Sequence, residues 1–289
     1  MTLPTADTTV TYPDGDTVST GTVLHVEPFS DDRWAVILDV TAFHPVDTAW
    51  PDQPTDRGSI TTSAGTQIIE DAVTGGILDG GLFLGPELPV RMGTEGWIFV
   101  VAHIVSGEPP AVGEEATIAV DEEYRAELSA GHTACHLASL ALDAALAEAW
   151  TKPAPTDSLG NPAFDALAIQ QSRIVPNGST DLYRIGKSLR RKGFTATALD
   201  DTVAVERAAN ERLAEWVENA GEVTITREGS ALSDRRAWVC ELMGGATSIP
   251  CGGTHIRSLS ELASVQVALE RTDVTGGFEI VMQTVAARS

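Results

Sequence analysis

Two histidines lie four residues apart in the stretch Gly131-His132-Thr133-Ala134-Cys135-His136-Leu137, at the start of an apolar, helix-like run. Four residues span a little over one helical turn, so both imidazoles project from the same face and can reach one ion. A second stretch, Pro250-Cys251-Gly252-Gly253-Thr254-His255, carries a thiol and an imidazole on a Gly-Gly loop that can turn both inward. Imidazole and thiolate are ligands that Zn²⁺ prefers. The sequence therefore predicts one zinc ion with four ligands: His132, His136, Cys251 and His255.

The composition indicates a globular protein with a strongly acidic surface. The chain has 289 residues, of which 43% are hydrophobic, and a net charge of −22. No apolar run approaches the roughly 20 residues that span a bilayer, and residues 1–7 lack the basic start of a secretory signal, so we expect a cytoplasmic protein with no membrane partner. Three cysteines without such a signal argue against a disulfide framework. The negative charge opposes polyanions at long range, so binding of nucleic acid requires a local basic patch.

The strand and helix signals predict an α+β protein with two domains. Short β-rich segments between Gly and Pro turns fill residues 8–120, which is typical of a small β-barrel. Residues 121–150 are instead rich in Ala, Leu and Glu, which favour a helix. A second helix is predicted at 202–220, and the segments after it favour a mostly antiparallel sheet. We therefore expect a β-barrel domain at 1–120 and a zinc-binding α+β domain at 121–289.

Eight segments carry the alternation or the apolar, β-branched composition of strands. They are 22–26, 34–40, 96–105, 116–120, 222–227, 237–243, 264–269 and 278–285.

Other zinc chemistries fit the two stretches less well. A zincin carries Glu directly after its first histidine, and Thr133 stands there instead. A nucleobase deaminase needs Pro-Cys-x-x-Cys, and Thr254 occupies the place of the second cysteine. Cys135 is either a rival ligand or a residue of the core, and Cys240 is expected to be buried in a strand. Asp143 lies two turns beyond the second histidine and is expected to be solvated or salt-bridged.

The two metal stretches resemble those of the alanyl-tRNA editing domain, which threonyl/alanyl-tRNA synthetases share with free-standing trans-editing alanyl-tRNA deacylases. The family pattern is His-x-x-x-His followed much later by Cys-Gly-Gly-Thr-His. Residues 113–137 also follow the family's approach to its first metal motif, and 205–211 resemble its middle helix. Residues 43–45 and 53–58 resemble its N-terminal barrel motif, so the resemblance covers most of the chain.

This resemblance implies a fold, a cofactor and a reaction. The fold is a small β-barrel followed by a two-layer α+β editing domain with a mostly antiparallel sheet and one zinc ion per chain. The reaction is zinc-dependent hydrolysis of the ester that joins a wrong amino acid, serine or glycine, to the acceptor end of tRNA for alanine. An enzyme of this kind acts in trans and supports the fidelity of translation.

Three polar residues close to the motifs are candidates for contact with the substrate. Gln53 is the candidate catalytic residue, because its amide can orient water or substrate, although a buried structural amide accounts for it equally well. Thr133 and Thr254 are candidate substrate-binding residues, since a site that hydrogen-bonds a seryl hydroxyl discriminates against alanine. Either threonine can instead hold the local backbone.

A basic cluster is the candidate tRNA-binding surface. It holds five of the nineteen basic residues of the chain: Arg184, Lys187, Arg190, Arg191 and Lys192. Tyr183 and Phe194 flank the cluster, and aromatic rings beside a basic groove can stack on unpaired bases. The alternative is a solvated basic turn paired with the acidic surface.

Two other functions fit the same sequence. One is a metal-dependent hydrolase of a small ester or amide on the same fold. The net charge favours it, as does Trp50-Pro51-Asp52, which replaces the glycines that precede Gln53 in the family's barrel motif. The other is a non-enzymatic binding module whose fold is stabilised by zinc. Four protein ligands favour it, since they fill a tetrahedral site and leave no position for a substrate. The sequence leaves open whether the chain forms a homodimer.

Overall fold

A computed structural model describes residues 2–289 of the chain. Its α-helices are α1 (Glu122–Ala145), α2 (Phe164–Ala168), α3 (Lys187–Arg191) and α4 (Thr202–Glu218). Short 3-10 turns lie at Tyr12–Asp14, Gly85–Glu87, Ala147–Ala149, Ala196–Leu199 and Leu259–Glu261. Within residues 2–289, no helix combines the length and the apolar character needed to cross a membrane.

Strands dominate the segment before α1 and return after it. The strands before the helix are β1 (Thr9–Val10), β2 (Val18–Ser30), β3 (Arg33–Leu38), β4 (Val40–Thr41), β5 (Gly58–Thr62), β6 (Gly65–Ile69), β7 (Asp71–Leu78), β8 (Gly81–Leu84), β9 (Ile98–Ser106) and β10 (Glu115–Val120). The strands after it are β11 (Ile169–Val175), β12 (Gly178–Ile185), β13 (Val223–Arg227), β14 (Arg236–Leu242), β15 (Gly245–Pro250), β16 (Leu262–Val274) and β17 (Gly277–Arg288). The protein is therefore a mixed α and β structure, as predicted, and its sheets are mostly antiparallel.

The N-terminal strands form an eight-stranded sheet in the order β6-β5-β10-β2-β3-β9-β7-β8. Its neighbouring strands are antiparallel. Strand β3 is buried on both faces, with Val36 and Leu38 in one apolar cluster and Ala35 and Ile37 in another. No pairing among the described residues joins the two ends of this sheet, so the closed barrel expected from the sequence is not confirmed.

Helix α1 occupies most of the segment predicted to be helical, so that prediction is confirmed. The carboxylate of Asp121 accepts the N–H of Tyr124 at 3.1 Å, which satisfies one of the free amides at the start of the helix. Leu137 and Ala141 are fully buried and, four residues apart, lie on one face of the helix. Leu128 is also fully buried but lies on the opposite face, nine residues before Leu137, so the helix is covered on more than one side.

A second antiparallel sheet has the order β11-β12-β17-β16, with β16 at one edge. Helix α4 lies along that edge and offers side chains to the backbone of β16. The amide of Asn210 donates to the carbonyl of Val267 at 2.9 Å and accepts its N–H at 2.7 Å, while Glu206 accepts the N–H of Leu269 at 3.0 Å. These bonds satisfy an edge that would otherwise present unpaired backbone groups. They give a physical role to two residues of the stretch that resembles the family's middle helix.

Internal contacts divide the chain into two units. The first contains Met1–Ala126 together with Ile225–Ala237 and Pro250–Thr254, and the second contains Glu127–Thr224, Trp238–Ile249 and His255–Ser289. Two later segments thus belong to the first unit by their contacts. The domain boundary at residue 120 stays a prediction.

Several strands have no signal in the sequence pattern. The eight predicted strand segments and the helix predicted at 202–220 are confirmed, with their ends shifted by a few residues. The strands that were not predicted are β1, β5 to β8, β11, β12 and β15. Strand β7 shows one reason, since it contains Gly75 and Gly76. A Cβ added at Gly75 would lie 2.6 Å from Leu84, so close packing selects a glycine where strand propensity does not.

Candidate metal centre

Helix α1 presents its two motif histidines on one face. The ring centroids of His132 and His136 lie 4.8 Å apart, and their planes are tilted by 36°. This is the arrangement that a four-residue spacing produces in a helix. The helical placement of the pair, predicted from the sequence, is confirmed.

A third imidazole comes from the segment that follows β15. The ring of His255 lies 4.3 Å from that of His132 and 5.0 Å from that of His136, between centroids. All three histidines belong to the second unit of the chain. Three rings at these distances are a convergent set of nitrogen donors, because each can turn a ring nitrogen toward a common point.

The donor atoms of His132, His136, Cys251 and His255 all lie within 4.8 Å of one another. In a tetrahedral zinc site with bonds of 2.0 to 2.3 Å, ligand atoms lie about 3.3 to 3.8 Å apart. The four donors are therefore close to the spacing that one metal ion requires. This is the set of residues that the sequence predicts as ligands.

The chemistry of these donors fits a metal. The Nε2 atom of His136 is buried and has no hydrogen-bond partner among residues 2–289. Burial also lowers the pKa of His136 to about 4, so its ring is neutral at pH 7 and keeps a lone pair for an ion. Burial raises the pKa of the Cys251 thiol to about 12, so metal binding must displace its proton. A buried donor without a partner, beside a thiol and two more imidazoles, is what a soft metal site needs.

Two neighbours hold the histidine rings in place. The hydroxyl of Thr133 is 3.1 Å from Nδ1 of His255, a contact that orients this ring. The ring of Trp238 is fully buried and lies 5.1 Å from that of His136 and 6.1 Å from that of His255. Sequence reasoning found Thr133 but missed Trp238, because nothing in the pattern of β14 connects this residue to the motifs.

The amide of Gln53 is bound to Thr254, within the first unit. Its Nε2 donates to Oγ1 of Thr254 at 2.9 Å, and its Oε1 accepts the N–H of Thr254 at 3.0 Å. Both residues are buried. Thr254 directly precedes His255, so the structure brings the candidate catalytic residue and a candidate substrate-binding residue together beside the Cys-Gly-Gly-Thr-His stretch.

The candidate tRNA-binding cluster is an exposed surface with two anchored arginines. Lys187, Arg190, Arg191 and Lys192 are exposed on α3 and just after it. Arg184 lies in β12, donates to the carbonyl of Thr275 at 2.5 Å, and is 3.6 Å from the carboxylate of Glu279. Arg190 donates to the carbonyl of Gly276 at 3.1 Å.

The two flanking aromatic residues do not belong to this surface. Tyr183 and Phe194 are 0% and 3% exposed. The hydroxyl of Tyr183 donates to the carboxylate of Asp165 at 2.9 Å, and the ring of Phe194 packs 5.0 Å from that of Phe164. The expectation that these rings stack on bases is wrong, since both side chains complete the core beneath the basic cluster.

The cysteine between the helical motif histidines faces a buried carboxylate. The Sγ atom of Cys135 lies 3.6 Å from Asp181, which also accepts the hydroxyls of Ser172 and Ser179 at 2.6 and 2.7 Å. Cys135 is not among the converging donors, so it is a neighbour of the metal group and not a rival ligand. No local pattern predicts this cluster, because its serines and aspartate have the composition of a turn.

Asp143 is buried, contrary to expectation. It is 3% exposed and accepts the N–H of Asp165 at 2.7 Å. Burial is the largest cause that raises its pKa to about 8, and the nearby charges of Asp165 and Asp157 raise it further. The expectation of a solvated or salt-bridged carboxylate is wrong, because the start of α2 covers this part of α1.

Similarity to one characterised protein extends over most of the chain. No protein-family model matches it. The chain is 24% identical over 245 residues to the alanyl-tRNA editing protein AlaX-M of Pyrococcus horikoshii. The aligned residues make up 84% of this chain and 83% of that protein. The metal motifs and the sequence similarity over most of the chain agree, and together they confirm that this chain resembles the alanyl-tRNA editing family.

Proposed function

We propose that the chain is a trans-editing aminoacyl-tRNA deacylase that hydrolyses the ester of seryl- or glycyl-tRNA for alanine with the help of one zinc ion. The observation that carries this proposal is the convergence of four donors at the positions that the resemblance to the family implies for its ligands. The similarity to an alanyl-tRNA editing protein over most of both chains supports the same reaction.

Different residues of the chain would bind the ion, orient its ligands and exclude water from the site. His132, His136, Cys251 and His255 would hold the ion. Zinc supplies Lewis acidity toward a water molecule or an ester carbonyl. Thr133 keeps the ring of His255 in one orientation, and the buried indole of Trp238 keeps bulk water away from His136. Exclusion of water strengthens electrostatic interactions at the reacting atoms.

Selection of the amino acid is proposed to depend on two hydroxyl groups. Thr133 and Thr254 flank the ligands, and a hydroxyl held in a buried site can recognise the seryl hydroxyl that alanine lacks. The hydroxyl of Thr133 contacts His255, and that of Thr254 contacts Gln53. These contacts fix the direction in which each hydroxyl points.

Binding of tRNA is proposed to use the exposed cluster on α3. Lys187, Arg190, Arg191 and Lys192 concentrate positive charge on a protein whose net charge is −22. Such a patch binds phosphates locally while the rest of the surface repels them, which favours one orientation of the tRNA.

One experiment tests the reaction and the need for metal together. Purified protein is incubated with seryl-, glycyl- and alanyl-tRNA for alanine, with and without a chelator, and loss of the ester is followed over time. We expect loss of seryl or glycyl ester that stops with chelator and returns with added zinc, while the alanyl ester persists. Equal rates on all three esters, or no activity with zinc bound, would contradict the proposal.

A second candidate is a structural zinc site in a non-enzymatic module. Four protein donors within 4.8 Å favour it, because a closed tetrahedral set leaves no open position. This candidate predicts that zinc is bound, that chelation lowers the melting temperature, and that every ester in the same assay stays intact.

A further inference from the structure

The buried amide of Gln53 makes two hydrogen bonds to Thr254 of the metal-binding segment. It meets Thr254 twice, through the backbone N–H at 3.0 Å and through the hydroxyl at 2.9 Å. A backbone N–H can only donate, so the oxygen of the amide must face it and the nitrogen must face the hydroxyl. The amide orientation is therefore fixed by Thr254 itself.

The other side of this amide is also buried. Nδ1 of His44 lies 3.5 Å from Nε2 of Gln53. Burial lowers the pKa of His44 to about 4, so its ring is neutral and can face a donor. The backbone N–H of His44 donates to Asp56, whose carboxylate forms an ion pair with Arg125. Gln53 thus contacts a buried hydrogen-bond network of the first unit, which restricts rotation of its side chain.

The segment that Gln53 holds is difficult to order without help. Cys251 is fixed at its N–H, which donates to the carbonyl of Arg236 at 3.2 Å. Between this point and Thr254 lie two glycines, and a Cβ placed at Gly252 would meet nothing within 4 Å. Glycines lose more conformational entropy on ordering than other residues. Within the stretch the N–H of Gly253 donates to Sγ of Cys251 at 3.4 Å, and Thr254 adds a fixed point at its far end.

We propose that Gln53 is a positioning residue of the metal centre: by clamping Thr254 at both its backbone and its hydroxyl, it fixes how Cys251 and His255 are presented to the ion. The inference concerns metal binding, so it stands even if the proposed tRNA ester is not the substrate. It differs from the catalytic role predicted for Gln53, in which the amide touches water or substrate.

The test measures metal affinity in matched glutamine variants of the full chain. Zinc affinity is measured by competition with a chelating dye, and the geometry of the site by the visible absorption of the Co²⁺ form. Q53A is expected to weaken zinc binding by about 10- to 100-fold, the usual effect of losing a residue that orients a ligand, and to alter the Co²⁺ spectrum. Q67A is the control, because the amide of Gln67 also donates two bonds, to Ser106 and Glu108, in the first unit. Its zinc affinity and spectrum should match those of the wild type.

A second pair of variants tests the same hydrogen bond from the side of Thr254, so the conclusion does not depend on whether Q53A folds. T254S keeps the hydroxyl that meets Gln53, and T254V replaces it with a methyl group of similar volume. T254S should bind zinc within about threefold of the wild type, whereas T254V should lose affinity as Q53A does. Circular dichroism shows that each variant is folded before metal is added.

The outcomes separate this proposal from the proposed function. Wild-type zinc affinity and an unchanged Co²⁺ spectrum in Q53A and T254V would overturn the positioning role. If ester hydrolysis then fell while metal binding stayed the same, Gln53 would touch the substrate instead. Weakened zinc binding in both variants supports the positioning role, whether or not the wild type hydrolyses any aminoacyl ester.

Discussion

Two cysteines, one half-buried and one fully buried, allow metal binding to be separated from core packing. Cys251 belongs to the converging donors, whereas Cys240 is fully buried in β14 and is not one of them. C251A should lower zinc affinity by more than about 100-fold, because loss of a ligand costs more than the 10- to 100-fold that loss of a supporting residue costs. C240A makes the same chemical change away from the donors and should leave zinc affinity unchanged. Zinc retained by C251A at wild-type affinity would rule out the four-ligand site.

A buried carboxylate of α1 should make stability fall as pH rises. The pKa of Asp143 is about 8, against 3.8 for an ordinary aspartate, mainly because burial disfavours its charged form. The folded state therefore holds a proton that the unfolded state loses above about pH 4, so this stabilising contribution is present below pH 4 and disappears between about pH 4 and 8. The neighbouring Asp165, whose pKa is about 6, acts in the same direction.

The substitution D143N tests this reading. An asparagine keeps the oxygen that accepts the N–H of Asp165 and cannot ionise. We expect D143N to raise the free energy of unfolding at pH 8 by about 1 kcal/mol or more, and to differ little from the wild type at pH 4. Urea unfolding at the two pH values measures both quantities. A variant that is less stable than the wild type at pH 8 would contradict the burial argument.

Helix α4 is expected to stabilise the edge of the second sheet through Asn210. N210A removes both bonds to the backbone of Val267 and should lower the free energy of unfolding by about 1 to 3 kcal/mol, the range for leaving partly buried groups unsatisfied. E211A changes the next residue of the helix, which is exposed, and should lie within about 0.5 kcal/mol of the wild type. Equal stability of the two variants would show that packing of the helix alone protects the edge.

The elements that could be predicted are those with strong local patterns. The helices around His132 and Val205 follow helical spacing and composition, which depend on neighbours in the chain. Strand β12 was not predicted, because its buried positions include Ser179 and Asp181, whose burial depends on partners in β11 and α1. A local pattern cannot report a polar residue that is satisfied by a distant one.

The candidate site shows the same division between local and distant information. The ligand pairs are four residues apart and were predicted, since spacing alone places them together on a helix or a loop. The contact between Gln53 and Thr254 joins residues 201 positions apart, so no spacing rule can anticipate it. The resemblance to a family indicated that Gln53 matters, and only the hydrogen-bond geometry shows what it touches.

The net negative charge of the protein opposes the binding of tRNA, the partner that the motifs imply. A net charge of −22 repels tRNA, and within residues 2–289 only the cluster on α3 gathers exposed basic residues in a short segment. Local phosphate contacts and global repulsion both depend on salt, but with opposite signs, since salt weakens the contacts and screens the repulsion. The two contributions can therefore be told apart by comparing variants that have the same net charge.

Charge reversal at two places on the surface makes this comparison. R190E/R191E reverses the cluster on α3, and R207E/R212E makes the same change in net charge on the exposed face of α4. If the cluster binds phosphates, R190E/R191E should weaken tRNA binding by about 10-fold or more at low salt. It should also reduce the dependence of log affinity on log salt by one to two units, since two phosphate contacts are lost. R207E/R212E should cause only a small loss with an unchanged salt slope. Equal losses in the two variants would mean that overall charge governs binding, and the tRNA surface would then lie elsewhere on the protein.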